Sequence, residues 1–175
     1  MMVGLRALSV VLLGWFVACA SIGHPERGEG GSLRGRVAIV GSDPTSLVVL
    51  RTPELGDVVL RGDPLPALRN LSGLEIEVTG SRGTRVEMGA SYFVVTGFRV
   101  LALDGVPAVD GLLEEEEGGF YLRSSGGERI QLALAGIPGA LVSHIGDHIW
   151  VAGDLDRGIE AFGLIWSGGF WGDSR

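Results

Sequence analysis

The sequence predicts an all-β fold, and three observations support this prediction. The 175 residues include 30 glycines, and 46% of the residues are hydrophobic. Short segments rich in Val, Leu and Ile are separated by Gly, Pro, Asp and Ser, which is typical of strands joined by tight turns. Several of these segments alternate apolar and polar residues with period two, as half-buried strands do.

The sequence of the first half predicts three strands, a short helix and two more strands. The clearest strand is residues 73–80, where apolar residues alternate with polar ones and a glycine closes each end. Residues 65–71 are expected to be helical or irregular, because Pro64 and Pro66 stand where a helix tolerates a missing N–H. The other four strands are expected to contain residues 33–35, 47–50, 58–60 and 92–100.

The second half repeats this order, and residues 146–153 align best with 73–80. Residues 137–145 take the place of the helix. The main length difference falls in one hairpin loop, residues 81–91 in the first half and 154–157 in the second, and length changes belong in surface loops. The remaining matches are 109–111 with 33–35, 120–122 with 47–50, 130–132 with 58–60, and 158–166 with 92–100, in which Gly163 meets Gly97.

Three strands, a helix and two strands resemble the OB-fold, a small and partly open Greek-key barrel. The pattern L-x-x-L-x-G-x-x-I-x-V-x-G at residues 68–80 is similar to that of many OB-like domains. The resemblance implies two tandem OB-like five-stranded barrels, residues 33–104 and 109–166, with a short linker at 104–108. The second copy has Asp147 where the first has Leu74, so we expect the second barrel to be less regular. One larger antiparallel sandwich is the alternative.

Residues 1–18 are predicted to be a cleaved signal peptide. Arg6 precedes twelve mostly apolar residues, a run too short to span a bilayer. The sequence Phe16-Val17-Ala18-Cys19 resembles the lipobox of bacterial lipoproteins, although Leu is usual where Phe16 stands. The resemblance implies a lipid on Cys19 and a location in the outer membrane facing the periplasm. Cleavage at the A-x-A site, residues 18–20, would instead release a soluble protein.

Two segments outside the barrels are expected to lack regular structure. Residues 19–32 are polar and rich in glycine, which predicts a flexible tether. Residues 167–175 form an aromatic, Gly-rich tail that contains Phe170 and Trp171. With Trp166, these rings are expected to cap a barrel end, and a partner-docking role is the alternative.

Charge is uneven between the halves. Residues 30–104 hold eight Arg and eight acids, whereas residues 105–175 hold four Arg and eleven acids. An acidic half repels nucleic acid, and Phe120 and Tyr121 lie in that half, apart from the Arg-rich loop. We therefore expect no nucleic-acid partner. The expected partners are the membrane, through the lipid anchor, and an envelope protein, with no cofactor.

One candidate site carries arginines. OB-folds often bind ligands through the loops after the first and fourth strands, here residues 41–46 and 81–91. The second loop contains Arg82 and Arg85, with Arg51 and Arg61 on nearby strands. Forked guanidinium groups are suited to an anionic ligand. A solvated surface is the alternative interpretation.

A second candidate site carries histidines. His144 and His148 are four residues apart and, with Asp147, would bind a metal if they shared a helix face. Gly146 and the strand predicted at residue 148 disrupt that spacing. The four glutamates of residues 114–117 are expected in an exposed loop or strand end, with a cation-binding rim as the alternative.

Taken with the signal peptide, these patterns predict a non-enzymatic envelope lipoprotein that acts as a binding or structural module. One alternative is a periplasmic small-ligand binder that uses the Arg-bearing loop of the first half. Another is a metal-binding protein or hydrolase built on His144, His148 and the nearby acids.

Overall fold

The computed structural model describes residues 30–83, 92–133 and 137–168. Within these ranges the chain forms ten strands, one short α-helix and one 3₁₀ helix, so the all-β fold class is confirmed. None of the helices described is long and apolar enough to cross a bilayer. The predicted signal peptide, Cys19, Arg85, Phe170 and Trp171 lie outside the described residues.

The strands of the first half pair in a ring. Strand β1 pairs with β2 and β4, β2 pairs with β3, β3 runs parallel to β5, and β5 returns to β4. Each strand therefore has two neighbours within the first half, and their buried side chains form a core that includes Ala67 and Leu68 of the helix. The elements are β1 Gly30–Val40, β2 Leu47–Thr52, β3 Gly56–Arg61, α1 Leu65–Arg69, β4 Leu74–Arg82 and β5 Tyr92–Leu103.

The second half repeats these ladders except one. Strand β6 pairs with β7 and β9, β7 with β8, and β9 with β10. Among the described residues no ladder joins β8 to β10, and a hydrogen bond from Ala133 N–H to Leu155 C=O, 3.0 Å long, links the two regions instead. The elements are β6 Val106–Glu116, β7 Gly119–Arg123, β8 Arg129–Leu132, the 3₁₀ helix Gly139–His144, β9 His148–Asp154 and β10 Gly158–Trp166.

The two halves share register where their ladders correspond. Gly35 lies opposite Ile76 and Gly111 opposite Ile149, which matches the alignment of 73–80 with 146–153. The backbones of Arg51 and Arg123 approach these two glycines so closely that a Cβ would lie 2.3 Å and 2.8 Å from their carbonyl oxygens. Both positions therefore require glycine.

One predicted match is wrong by two residues. Gly97 lies opposite Thr79, whereas the residue opposite Ala152, the counterpart of Thr79, is Ala161 and not Gly163. Both ladders contain two register shifts, and these fall at corresponding positions along β4 and β9. Because the bulges correspond in the two ladders, they do not cause this error. The two glycines lie opposite non-equivalent residues, since Gly97 pairs with Thr79 and Gly163 pairs with Trp150.

Three predicted boundaries also differ from the structure. Residues 30–32, assigned to the tether, belong to β1 and pair with residues 79–81 of β4. Of the predicted linker 104–108, only Asp104 and Gly105 lie outside strands, with φ of 47° and 84°. They form a two-residue hairpin turn between β5 and β6, for which Asp-Gly is a favoured sequence. Arg82 lies in β4 and not in the predicted loop.

The halves also share a hydrophobic core. Trp150, Ala152 and Ile165 of the second half belong to the same buried cluster as Leu50, Ile76 and other first-half residues. A smaller cluster inside the second half contains Leu113, Leu122, Leu132, Leu141, Ile149 and Val151.

Candidate functional site

The arginines of the first candidate site are separated along the sheet. The Arg51 Nε atom lies 3.7 Å from Asp57 Oδ1, at the turn end of β3. Arg61 lies at the opposite end of the same strand, with its Cζ 5.8 Å from the centre of the Tyr92 ring. Arg82 reaches this second end, since it is opposite Phe93 on β5. The structure thus brings Arg61 and Arg82 to the two sides of β5 and leaves Arg51 apart.

The outer face of the first half carries a network of ion pairs. Glu77 accepts hydrogen bonds from the Nε atoms of Arg34, at 2.8 Å, and Arg99, at 2.7 Å. The hydrogen bond from Arg34 is the largest cause that lowers the pKa of Glu77. Arg36 donates to Asp104 at 2.8 Å, and this bond raises its pKa. These charges satisfy one another, as on a solvated face.

The two histidines of the second candidate site do not share a partner, because each lies against a different aspartate. The Nδ1 atom of His144 lies 3.1 Å from Asp147 Oδ2, whereas His148 Nε2 lies 2.9 Å from Asp110 Oδ2. His148 is 2% exposed and stacks on Trp166, with ring centres 3.9 Å apart. Throughout the part of the chain that the structure describes, no three His, Cys, Asp or Glu residues are grouped to hold a metal ion.

Asp110 is the residue that the sequence argument missed. Its Oδ1 atom accepts a hydrogen bond of 2.7 Å from the backbone N–H of Val100 on β5, while Oδ2 contacts His148 on β9. The side chain of Asp110 is 12% exposed. It therefore connects the two halves at their junction. The available signal is one carboxylate within the otherwise apolar segment 106–113, since a buried charge requires partners.

The outer face of the second half joins aromatic, basic and acidic side chains. Arg123 binds Glu114 and Arg129 binds Glu116, at 2.7 Å and 2.6 Å. The Arg129 Cζ atom also lies 4.4 Å from the centre of the Tyr121 ring. The hydrogen bond to Glu116 is the largest cause that raises the pKa of Arg129. Three of the four glutamates thus end β6, and Glu117 lies in the following turn.

A groove of about 630 Å³ lies beside this strand end. We call it the β6 groove: residues 112–116 of β6, Arg123, Arg129, Ile145 and Gly146 line it. Leu112 and Leu113 are buried, whereas Ile145, which follows the 3₁₀ helix, is 41% exposed. The groove therefore combines apolar surface with a row of carboxylates.

Comparisons of the chain with protein-family models, with curated proteins and with solved structures give no match. Two features of the described residues have the chemistry to bind a ligand. The β6 groove offers apolar contact and negative charge. Arg61 of β3 and Arg82 of β4, which lie beside the first residues of β5, offer two guanidinium groups.

Proposed function

We propose that the protein is a non-enzymatic, lipid-anchored module of the bacterial cell envelope that binds a partner through its second half. The fold part of this proposal is a pair of OB-like barrels. The ring of pairings β1-β2-β3-β5-β4 supports it, because a five-stranded sheet whose last strand returns to the first curves into a small barrel of this kind. The shared register and bulges of the second half support a duplicated origin.

The second barrel is open in this proposal, and the short β9–β10 hairpin explains why. In the first half β3 pairs with Tyr92, Phe93 and Val94, the first three residues of β5. When the β9–β10 ladder is aligned with the β4–β5 ladder, these three residues correspond to residues 156–158. Of these, only Gly158 belongs to β10. The strand thus begins too late to pair with β8.

The anchoring part of the proposal rests on the lipobox-like sequence before Cys19. In cell fractionation we expect the wild-type protein in the membrane fraction and the Cys19→Ser variant in the soluble fraction. The intact mass of the extracted protein should correspond to a chain that begins at Cys19 and carries lipid. A mass that fits a chain beginning at Ser21, without lipid, would contradict anchoring.

The β6 groove is the observation that carries the binding function. Binding sites are concave and combine apolar walls with a few well-placed polar groups. The groove is lined by charged side chains and by Ile145, a large apolar side chain left exposed. Tyr121 and the two arginines nearby belong to the residue types enriched at interface hot spots.

A photo-crosslinking residue placed at position 145 tests this function in intact cells. Position 39 is the matched control, because Ile39 and Ile145 are exposed by 42% and 41% but lie in different halves. We expect a discrete crosslinked product from position 145 and none from position 39. No product at either position, or the same products at both, would contradict the proposal.

Binding of a small anionic ligand in the first half is the second candidate function. It is favoured by the placement of Arg61 and Arg82 on either side of β5. With pyrophosphate as the probe, this function predicts a thermal shift that Arg82→Ala abolishes and Arg51→Ala preserves. An equal shift in both variants would contradict it.

A further inference from the structure

This inference rests on the proposed binding function and names the partner of the same groove. We propose that the β6 groove binds a positively charged, extended segment of a partner polypeptide, with an apolar side chain of that segment placed against Ile145. The carboxylates of β6 and the exposed side chain of Ile145, which line the groove together, carry this assignment.

The charge of the groove favours a cationic occupant. Three carboxylates line the groove, those of Glu114, Glu115 and Glu116, and its two arginines form ion pairs with Glu114 and Glu116. Glu115 is exposed and lies within the lining. Because the whole second half has eleven acids and four Arg, its field also attracts cations from a distance.

The apolar side of the groove favours a polypeptide over a simple cation. Val142 and Ile145 are 42% and 41% exposed and belong to one short segment beside the groove. Ile145 itself lines the groove. An inorganic ion gains nothing from this surface, whereas an apolar side chain removes it from water.

The free backbone of β6 favours an extended segment. The ladder between β6 and β9 ends at the pair Leu112 and His148. Beyond it, Leu113 still bonds to Gly146 and Asp147, but the edge of residues 114–116 on that side has no ladder in the described ranges. A strand edge of this kind can accept an added strand.

A synthetic peptide of alternating arginine and leucine is the probe, and the matched peptide carries glutamate in place of arginine. Binding to the purified mature protein is measured by fluorescence anisotropy at low and high salt. We expect binding of the basic peptide alone, weakened about tenfold or more at high salt. Ile145→Ser and Glu115→Gln should each weaken binding several-fold, and Ile39→Ser should leave it unchanged.

These side chains are exposed, so the variants should keep the wild-type thermal unfolding curve, which is recorded for each. Equal binding of both peptides, no binding of the basic peptide, or an equal loss in Ile39→Ser would overturn the inference. A crosslinked product at position 145 together with no binding of the basic peptide would overturn only this inference and leave the binding function standing.

Discussion

Strands β4 and β9 occupy matching places in the two halves but differ in what covers their outer faces. Along β4, Ile76 and Val78 are buried, while Glu75 and Glu77 between and beside them remain partly exposed. Along β9, every residue from 148 to 153 is buried. The outer face of β9 packs on the first half through Trp150 and Ala152, whereas the outer face of β4 meets water.

The comparison shows that the burial of a strand depends on what packs against its outer face as much as on the strands it pairs with. Glu75, Glu77 and Thr79 are replaced by His148, Trp150 and Ala152 in the second copy. These three substitutions convert a solvated face into an interface. The second half therefore depends on the first for part of its stability.

The largest expected effect comes from removing the indole at the shared core. Trp150→Ala should lower the free energy of unfolding by about 3–5 kcal/mol, as buried aromatic truncations do. Urea unfolding measures this loss. Glu77→Ala, at the matching position of β4, is the control and should have a much smaller effect. Equal losses in the two variants would show that β9 is not packed on the first half.

Loss of the Asp110 carboxylate should have the next largest effect. Asp110→Ala leaves the Val100 N–H and the buried His148 without this acceptor, which should cost about 2–3 kcal/mol. Arg34→Ala, the matching substitution in β1, should change stability far less, because Arg34 is 65% exposed. Chemical denaturation of both variants distinguishes the cases, and no loss in Asp110→Ala would remove the assigned role of the carboxylate.

Gly163 should tolerate no side chain, because its Cβ would lie 2.7 Å from the Trp150 Nε1 atom. Gly163→Ala should destabilise the protein by about 1–2 kcal/mol through overpacking. Arg99, opposite Glu77 on β5, occupies the matching position and should accept alanine more readily. Thermal unfolding of the two variants measures the difference, and an unchanged Gly163→Ala protein would contradict the packing of the indole.

The smallest expected effect is on how stability depends on pH through Glu77, which lies on the solvated outer face of the first half. The pKa of Glu77 is lowered, so the stabilisation by its charged form is present above the unfolded pKa and is lost as pH falls through the folded pKa. The stability difference between wild type and Glu77→Gln should therefore be constant near neutral pH and shrink in acid. Urea unfolding across the acid range measures it, and a difference that grows in acid would have the wrong sign.

The sequence alone predicts the all-β class, the order of the elements along the chain and the alignment of 73–80 with 146–153, because alternation and glycine placement are local signals. The Asp104-Gly105 hairpin is a local signal too, but Pro107 after it favours a linker instead. The match of Gly97 with Gly163 fails because the two glycines lie opposite non-equivalent residues, Thr79 and Trp150, and this pairing leaves no local pattern in the sequence.

The candidate sites were less predictable than the fold. The spacing of His144 and His148 says nothing about Asp110, which is 38 residues away from His148 and meets it only through the β6–β9 ladder. The β6 groove likewise requires β6 and the residues after the 3₁₀ helix to come together. Contacts of this range are set by tertiary packing.

Native-state hydrogen exchange at Ile76 and Ile149 tests the dependence of the second half on the first most directly. Both side chains are fully buried and occupy matching positions in β4 and β9. If the halves unfold as one unit, the amides of β4 and β9 should open with the same free energy, equal to that of global unfolding. Exchange of β9 at a clearly lower free energy, with β4 still protected, would contradict the shared core as the feature that joins the halves.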